Sequence, residues 1–375
     1  MIKVALTDIC DFQGGTQPPK EEWIDHQEQG YIRMLQIRDF TQSEKNNIEY
    51  VKDKDNLKKC NENDILIGRY GASVGKILTG LSGAYNVAII KTIPDTSKVS
   101  RRFLFHYLNS SYFQEFIRSV GSRAAQAGFN KDDLKNALIP LYTDEEQRKI
   151  AAVLDKVSDL IAKRRQQLEK LDLLVKARFT EMFGEEKERK TISDICSIIT
   201  DGTHQPPKFV SEGIPFLFVS NLVSNEITFE TDKFITQETY NDLIKRTPIE
   251  EGDILLSTVG SYGHPAIVKN NKKFLFQRHI AYLKPKHDVI CSEYLHSALL
   301  SQEAQRQIQE KVKGVAQKTL NLSEIRKISI PIPIMEKQIQ FCIFVKQIEK
   351  TKTEIKNSLA KLEILKKALM QEYFG

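Results

Sequence analysis

LEKLDLLVKARFTEMFG, residues 168–184, and LAKLEILKKALMQEYFG, residues 359–375, are two versions of one sequence. They are identical at nine of seventeen positions, where ordinary composition would give about one. Both stretches have the apolar spacing of an amphipathic helix and end in Phe-Gly. The match indicates an internal duplication with an offset of 191 residues.

Further matched motifs extend the duplication over the whole chain. Their offsets grow slowly from 186 to 191, as small loop insertions would cause. The matched motifs are Asp-Ile-Cys (8–10 and 194–196), Gln-Pro-Pro-Lys (17–20 and 205–208), Asp-Ile-Leu (64–66 and 253–255) and Ile-Pro (139–140 and 330–331). The chain therefore divides into two halves, 1–184 and 185–375.

Each half has a mixed region followed by a long helix. Short apolar runs bounded by turn residues predict strands at 65–67, 87–90, 254–256 and 280–283. Amphipathic spacing predicts helices at 101–120 and 292–312, each ending near a glycine. The regions are α/β in composition but lack the regular rhythm of a doubly wound sheet.

The long helices begin at about Thr143 and Met335 and carry heptad series of apolar residues. Alone, each would leave an apolar stripe in water, so we expect them to pack on each other. An antiparallel pairing suits them, because each helix ends where its half ends; packing of each helix on its own domain is the alternative. The predicted fold is α+β: two α/β regions, 1–143 and 185–334, joined by two long antiparallel coiled-coil helices, 144–184 and 335–375, in a pseudo-two-fold repeat.

Composition narrows the class of protein. The chain of 375 residues is 41% apolar and 28% charged, which excludes disordered, collagen-like and disulfide-built chains. The excess of 55 Lys and Arg over 49 Asp and Glu permits nucleic-acid binding without proving it. Five scattered cysteines without a CxxC pair indicate reduced thiols. With no signal peptide and no long apolar run, we expect a soluble cytoplasmic protein without a membrane partner.

Known catalytic signatures do not fit the sequence. Gly75-Lys76 fails as a phosphate loop, because Tyr70 stands where a glycine is needed and Ile77 where Ser or Thr is needed. The two Gln-Pro-Pro-Lys motifs have lysine where an adenine methyltransferase stacks an aromatic ring. The seven histidines form no metal-binding pair. We therefore expect no catalysis, metal or cofactor in this chain.

Matched loops instead indicate nucleic-acid binding. Glycine loops at 68–76 and 257–264 follow two of the predicted strands. A second matched pair of loops, 121–126 and 313–318, leads to Asn130 and Asn321. Glycines let backbone N–H groups approach phosphates, and Arg, Asn and Gln can read bases in the major groove. For any single residue, a solvated turn explains the sequence equally well. The candidate DNA contacts are Lys20, Arg38, Arg69, Tyr70, Ser73, Lys76, Arg123, Gln126, Asn130 and Lys131 in the first half, and His204, Lys208, Asn221, Ser261, Tyr262, His264, Arg278, Lys313, Gln317, Lys318 and Asn321 in the second.

These features together resemble the specificity subunit of type I restriction–modification systems. The resemblance rests on the two-half layout, on Gly-Gly-Thr-Gln-Pro (14–18) with its partner Gly-Thr-His-Gln-Pro (202–206), and on the proline strand that runs through Glu-Gln into a long helix at 139–150. The second copy, 330–338, departs by placing Lys337 between Glu336 and Gln338. Gln338 still keeps register with Gln147.

The resemblance implies a function and partners. Each mixed region would be a target recognition domain, and the helices would set the distance between two parts of a DNA target in phage defence. The two regions diverge outside their shared motifs, so the target should be asymmetric. The chain would be non-catalytic; two methyltransferase subunits would bring S-adenosylmethionine, and restriction subunits would join for cleavage.

Two other functions stay open on the residues alone. A stand-alone DNA-modifying enzyme with unrecognised motifs would show activity as a purified chain. A coiled-coil interaction scaffold without a DNA role would tolerate exchange of residues 64–130 with no change in any modification pattern.

Overall fold

The computed structural model describes residues 2–42, 47–121, 128–314 and 318–375. The chain folds as two compact units. Unit 1 consists of Met1–Arg164 with Ser358–Gly375, and unit 2 consists of Arg165–Asn357. Each unit therefore combines one mixed region with a part of both long helices. The four predicted segments follow the chain in order, whereas the compact units divide both helices.

The first half contains eleven short strands and four α-helices among its described residues. In chain order they are β1 (Lys3–Ala5), β2 (Cys10–Gly14), β3 (Trp23–Ile24), β4 (Tyr31–Leu35), α1 (Ile37–Thr41), β5 (Tyr50–Lys52), β6 (Lys59–Cys60), β7 (Leu66–Gly68), β8 (Ile77–Leu78), β9 (Gly83–Tyr85), β10 (Ile89–Pro94), α2 (Arg101–Leu108), α3 (Ser111–Gly121), β11 (Leu138–Pro140) and α4 (Asp144–Phe183).

The second half repeats this order with fewer strands. Its elements are β12 (Arg189–Thr191), α5 (Ile192–Ile195), β13 (Cys196–Asp201), β14 (Ile214–Leu217), β15 (Phe234–Ile235), α6 (Gln237–Leu243), β16 (Ile254–Ser257), β17 (Pro265–Ile267), β18 (Leu275–Phe276), β19 (Ile280–Pro285), α7 (Ser292–Leu299), α8 (Gln302–Lys311), α9 (Leu322–Ile325), β20 (Ser329–Pro331) and α10 (Met335–Phe374).

The duplication is visible in the sheet topology. The four-stranded sheet β2-β10-β7-β8 of unit 1 has the same order as β13-β19-β16-β17 of unit 2. A two-stranded ribbon, β1-β11 or β12-β20, lies beside the entry to each long helix. The remaining sheets differ, with five strands in unit 1 (β3-β5-β4-β9-β6) and three in unit 2 (β15-β14-β18). The predicted strands and the internal repeat are confirmed, and the two halves diverge in these additional sheets.

The predicted helices at 101–120 and 292–312 are wrong as continuous helices. Each is two helices, α2 with α3 and α7 with α8. The side chains of Ser110 and Ser301 accept hydrogen bonds from backbone N–H groups three residues later, at 3.3 Å in both units. Serine at such a position starts a new helix by capping its first turn. The amides of Gln114 and Gln305 donate to the last carbonyls of α2 and α7, each at 2.8 Å, and cap these helices from the other side.

The long helices are confirmed, with 40 residues each. In unit 1, Leu154 of α4 and Phe374 of α10 belong to one buried core. In unit 2, Phe183 of α4 and Phe341 of α10 do the same. In each unit the start of one helix thus lies beside the end of the other, as an antiparallel pair requires. The alternative, in which each helix packs only on its own domain, is excluded.

The repeated Phe-Gly ends of the helices are part of the cores. The ring of Phe374 lies 5.2 Å from that of Phe103, and the ring of Phe183 lies 4.9 Å from that of Tyr294, between centroids. Phe103 and Tyr294 stand at the same offset of 191 residues. Aromatic pairs at this spacing add to the stability from burial. Among the described residues, no helix is both long and apolar enough to cross a membrane.

Candidate nucleic-acid interface

The glycine loop of unit 1 is held by backbone hydrogen bonds at its base. The N–H of Gly68 donates to the carbonyl of Lys76 (2.8 Å), and the N–H of Gly75 donates to the carbonyl of Gly68 (3.0 Å). Gly75 has φ of +79°, a left-handed conformation that favours glycine. The side chain of Gln114 donates to the carbonyl of Gly75 at 2.8 Å. The same glutamine that caps α2 therefore fixes this loop.

The loop of unit 2 is built in the same way. The N–H of Ser257 donates to the carbonyl of His264 (3.1 Å), and the N–H of Gly263 donates to the carbonyl of Ser257 (2.9 Å). Gly263 has φ of +81°. Gln305 donates to the carbonyl of Gly263 at 2.9 Å, as Gln114 does in unit 1. Different sequences thus form one backbone scaffold twice.

Each glycine loop contacts the segment that follows the second matched loop of its own unit, 128–131 or 318–321. In unit 1, the guanidinium Nε of Arg69 donates to the carbonyl of Phe129 at 2.8 Å. In unit 2, the N–H of Leu320 donates to the carbonyl of Thr258 at 2.8 Å. The structure therefore brings each glycine loop beside the residues around Asn130 or Asn321. The candidate residues Arg123, Gln126 and Gln317 lie outside the described residues.

The segments before Gln-Pro-Pro-Lys reach the same end of each sheet. The N–H of Gly15 donates to the carbonyl of Ile89, and that of Gly202 donates to the carbonyl of Ile280, both at 3.1 Å. A Cβ atom would lie 2.1 Å from the carbonyl oxygen of Asn86 at Gly15, and 2.3 Å from a backbone oxygen at Gly202. Only glycine allows the backbones to approach so closely.

A short turn, 86–88 or 277–279, also contacts the glycine loop of each unit. The N–H of Arg69 donates to the carbonyl of Ala88 (2.8 Å), and the N–H of Thr258 donates to the carbonyl of His279 (2.9 Å). Four loops of each unit are thus linked to one another or to one end of its four-stranded sheet. We call them loop edge 1 (15–20, 68–76, 86–88 and 128–131) and loop edge 2 (202–208, 257–264, 277–279 and 318–321). The turns at 86–88 and 277–279 are a component that the sequence analysis missed, apart from Arg278.

On loop edge 1, some candidate side chains are exposed and others serve the fold. Lys76 and Tyr70 are exposed and Ser73 is half-buried. Arg69 stacks on the ring of Tyr70, with 5.0 Å from its Cζ to the centroid. Lys131 pairs with Asp11, and a hydrogen bond from this lysine lowers the pKa of the Asp11 carboxyl.

Three further candidates of unit 1 have partners in the protein. Asn130 and Asp133 exchange two hydrogen bonds, at 2.8 and 3.1 Å, and thereby close a turn. Arg38 pairs with Glu49. The Nζ of Lys20 lies 3.9 Å from an oxygen of the same glutamate, so Glu49 brings these two basic residues together.

On loop edge 2, His204 belongs to a cluster with an arginine that the sequence analysis missed. The Nε2 of His204 lies 3.0 Å from Oδ2 of Asp201, and Nη2 of Arg246 lies 2.5 Å from the other carboxylate oxygen. Arg246 also contacts His204 Nε2 at 3.2 Å. The long sequence separation of 45 residues between Asp201 and Arg246 hid this pair.

The histidine of the second glycine loop is partly buried. His264 Nδ1 lies 3.1 Å from Oδ1 of Asn225, and burial lowers the pKa of its imidazole. The neutral form is therefore favoured at pH 7. Tyr262 packs on the core of unit 2, while Ser261 and Arg278 are exposed. The remaining exposed candidates are Lys208, Lys313, Lys318 and Asn321.

Asn221 is placed differently from the expectation. Its side chain is 4% exposed. The Oδ1 atom accepts from the N–H of Phe218 at 2.9 Å, and Nδ2 donates to the carbonyl of Glu230 at 3.0 Å. Because the amide is used inside the protein, the observed conformation offers nothing to a base, and we leave Asn221 out of the DNA contacts proposed below.

Gln147 and Gln338, the glutamines at the start of the two long helices, have a structural role that the sequence did not predict. Gln147 is buried; it donates to the carbonyl of Lys98 (2.8 Å) and accepts from the N–H of Ser100 (2.8 Å). Gln338 is also buried and accepts from the N–H of Cys291 at 3.1 Å. Each glutamine thereby ties the first turn of a long helix to the segment before α2 or α7. In the part of the chain that the structure describes, no group of His, Cys, Asp and Glu could hold a metal ion.

The family model for the type I restriction modification DNA specificity domain matches the chain twice, at residues 1–171 and 184–365. This chain belongs to that family. The two matches correspond to the two halves of the duplication, so the predicted resemblance is confirmed.

Curated relatives belong to the same class. The chain is 24% identical to the type I restriction enzyme EcoBI specificity subunit of Escherichia coli, over 83% of this chain and 73% of that protein. It is also 24% identical to the MjaVIII specificity subunit of Methanocaldococcus jannaschii, over 95% and 91% of the two chains.

Solved structures share the fold. The S subunit of a type I restriction–modification system from M. genitalium matches with a TM-score of 0.58 and 15% identity, over 100% of this chain and 96% of that one. A chain from work on complex assembly and conformational transition of the type I R-M system matches with a TM-score of 0.58 and 17% identity, over 100% and 97%.

Proposed function

We propose that this specificity-family chain recognises a two-part DNA target, with loop edge 1 reading one part and loop edge 2 the other. One observation carries the proposal: both edges have the same backbone scaffold but present different side chains. Equivalent positions hold the exposed Tyr70 and the half-buried Val259, and the exposed Lys76 and the half-buried His264. A shared scaffold with different exposed groups suits two similar binding sites that read different sequences. The target is therefore asymmetric.

The exposed groups fit the two kinds of contact that such recognition needs. Lysines such as Lys76 and Lys318 suit phosphates, which fix the position of a protein on DNA without reading its sequence. Arg278 projects from the turn at 277–279, and an arginine can bind guanine with two hydrogen bonds in the major groove.

The partners follow from the family. The chain itself is proposed to be non-catalytic and cytoplasmic, and to position two methyltransferase subunits that bring S-adenosylmethionine. Restriction subunits would join this assembly for cleavage. The support is the family membership, the relatives named as specificity subunits of restriction enzymes, and the structural likeness to a chain of an assembled type I system.

Exchange of the segment that carries most of loop edge 1 tests the proposal. Residues 64–130 are replaced by the corresponding segment of a relative, and methylated DNA from cells that contain the methyltransferase subunit is sequenced. We expect one part of the target to change while the other part and the spacing stay. An unchanged pattern would support the scaffold without a DNA role. DNA modification by the purified chain alone would support the stand-alone enzyme.

A further inference from the structure

The last residues of β2 and β13 occupy equivalent places in the two units. Gly14 ends β2 and pairs with Ile90 of the neighbouring strand. Asp201 ends β13 and pairs with Ala281. Ile90 and Ala281 stand at the repeat offset of 191 residues. Gly14 and Asp201 therefore lie at the same point of the repeated sheet, directly before the first segment of loop edge 1 or loop edge 2.

In unit 1, an arginine of the glycine loop lies beside this point. Nη1 of Arg69 is 3.7 Å from the place that a Cβ atom of Gly14 would occupy. In unit 2, the position equivalent to Arg69 holds Thr258, which is 5% exposed. The glycine loop of unit 2 therefore brings no arginine to this place.

Unit 2 brings an arginine there from a segment that is distant in sequence. Nη2 of Arg246 lies 2.5 Å from Oδ1 of Asp201. The side chain of Arg246 is 52% exposed and that of Asp201 only 17%, so the guanidinium is accessible to a ligand while the carboxylate is mostly covered. Within the part of the chain that the structure describes, both polar contacts of the arginine side chain involve Nη2. Its Nη1 and Nε are therefore available as donors.

The backbone that carries Arg246 is fixed without this ion pair. Leu243 and Ile244, just before the arginine, pack on a buried core cluster of unit 2. Thr247, directly after it, is 3% exposed. An ion pair between partly exposed side chains contributes little to stability. The pair with Asp201 therefore orients the guanidinium more than it stabilises the fold.

We infer that Arg246 reads a guanine in the half-site of loop edge 2, and that Asp201 is its positioning residue. An arginine can donate two hydrogen bonds to O6 and N7 of guanine in the major groove. Such a contact needs a guanidinium that is held in one orientation, and a hydrogen-bonded carboxylate holds it. Arg246 thus replaces Arg69 in unit 2, although it comes from another segment. This inference rests on the proposed function and adds a residue outside both matched pairs of loops.

The base requirement of the second half-site tests the role of Arg246. The full chain is expressed with its methyltransferase subunit, and methylated sites are sequenced for the wild type, Arg246→Ala and Arg246→Lys. The half-site of loop edge 2 is the part of the target that stays when residues 64–130 are exchanged. Both variants are expected to lose the requirement for one guanine there, because alanine has no donor and lysine lacks the planar pair of donors. The other half-site and the spacing should stay.

Binding measurements give the size of the effect. Mobility shifts with the assembled complex compare the target with a duplex in which this G·C pair is replaced by A·T. The wild type should prefer the guanine target by about tenfold or more, and Arg246→Ala should lose this preference. Lys245→Ala is the matched control, because the side chain of Lys245 is 76% exposed and its loss removes the same charge at the neighbouring position. This control should keep the preference.

A double-variant cycle tests whether Asp201 acts through the arginine. Asp201→Ala alone should reduce the preference for guanine. Added to Arg246→Ala, it should change the preference no further, because the group that it orients is absent. A merely structural ion pair would lower stability in urea unfolding and leave the base preference unchanged, which would contradict the positioning role.

The possible results separate the inference from the proposed function. An unchanged guanine requirement in Arg246→Ala and Arg246→Lys, with a two-part target still read, would overturn the inference alone. Equal weakening on all sequences would assign Arg246 to a phosphate and would also overturn it. A wild-type chain without a two-part target would overturn the proposed function itself. If Arg246→Ala fails to fold, Arg246→Lys carries the test, because lysine keeps the charge beside Asp201.

Discussion

Lys346 Nζ lies 3.1 Å from a carboxylate oxygen of Glu293 and joins α10 to α7. The equivalent positions in the first half hold Asp155 and Arg102, whose ion pair measures 2.5 Å. Both pairs stand at the offset of 191 residues, and the charges are exchanged between helix and domain. An ion pair thus joins α4 to α2 and α10 to α7 at equivalent positions. The acidic residue lies on the long helix in unit 1 and on the shorter helix in unit 2.

Reversal of one charge should therefore be harmful and reversal of both should be tolerated. Lys346→Glu places two carboxylates together, and Glu293→Lys combined with it restores an ion pair. Because the lysine side chain is 69% exposed, we expect a loss of about 0.5–1 kcal/mol for the single variant. Urea unfolding of the two single variants and the double variant measures the coupling. A double variant as unstable as the sum of the singles would contradict the role of this pair.

The buried glutamine of α10 should contribute more stability than any surface ion pair. Gln338 donates to the carbonyl of Pro333 (2.9 Å) and accepts from the N–H of Cys291 (3.1 Å). Gln338→Ala leaves these groups buried without partners, so we expect a loss of about 2–4 kcal/mol in the free energy of unfolding. Urea unfolding checks this value. Gln340→Ala, at an exposed position two residues later, is the control and should change stability little.

The stability of unit 2 should decrease in mild acid because of His296. Its Nε2 lies 3.1 Å from the carbonyl of Pro265, and burial lowers the pKa of the imidazole below its ordinary value. As pH falls below about 6.5, the unfolded chain binds a proton that the folded chain resists, so stability present at pH 7 is lost. We expect this histidine to account for a part of the decrease, at most about 2 kcal/mol between pH 7 and pH 5.

The measurement is the free energy of unfolding at several pH values. His296→Gln should give a smaller decrease between pH 7 and pH 5 than the wild type. His287→Gln, at an exposed histidine of the same unit, should leave the decrease unchanged. The same decrease in wild type and His296→Gln would assign the pH dependence to other groups.

Lys76 should contribute to DNA affinity through charge. If it contacts a phosphate, Lys76→Ala should weaken binding on all sequences alike and lower the slope of log affinity against log salt by about 1. Electrophoretic mobility shifts at several salt concentrations, with methyltransferase subunits present, measure this slope. Lys156→Ala removes an equally exposed lysine from α4 and should have no effect. Equal slopes for both variants would place Lys76 away from DNA.

The parts of the fold that repeat were predictable from sequence, because identity across the halves marks a shared scaffold. The ends of both long helices followed from the repeated Phe-Gly at 183–184 and 374–375. The contacts of the glycine loops with the segments around Asn130 and Asn321 are consistent with the equivalent positions of these segments in the repeat. The break after Leu108 was missed, because the periodicity of α2 and α3 continues across it and Ser110 is also compatible with a continuous helix.

The site was less predictable than the fold. Asn221 is a loop amide, and only its contacts with Phe218 and Glu230 show that the amide is used inside the protein. Arg246 was missed because its partner Asp201 is distant in sequence. A usable signal was present for Gln114 and Gln305, which are identical at the repeat offset within otherwise variable helices. Such half-buried polar identities mark the residues that hold the loops, whereas the proposed DNA-reading positions differ between the halves.

Sequencing of methylated DNA tests the central claim most directly. The chain is expressed with its methyltransferase subunit in cells that lack other DNA methylation, and all modified sites are mapped. We predict one two-part target with two different halves separated by a fixed number of unread base pairs. A continuous target, two identical halves, or no methylation that depends on this chain would contradict the assignment of the two loop edges to two different half-sites.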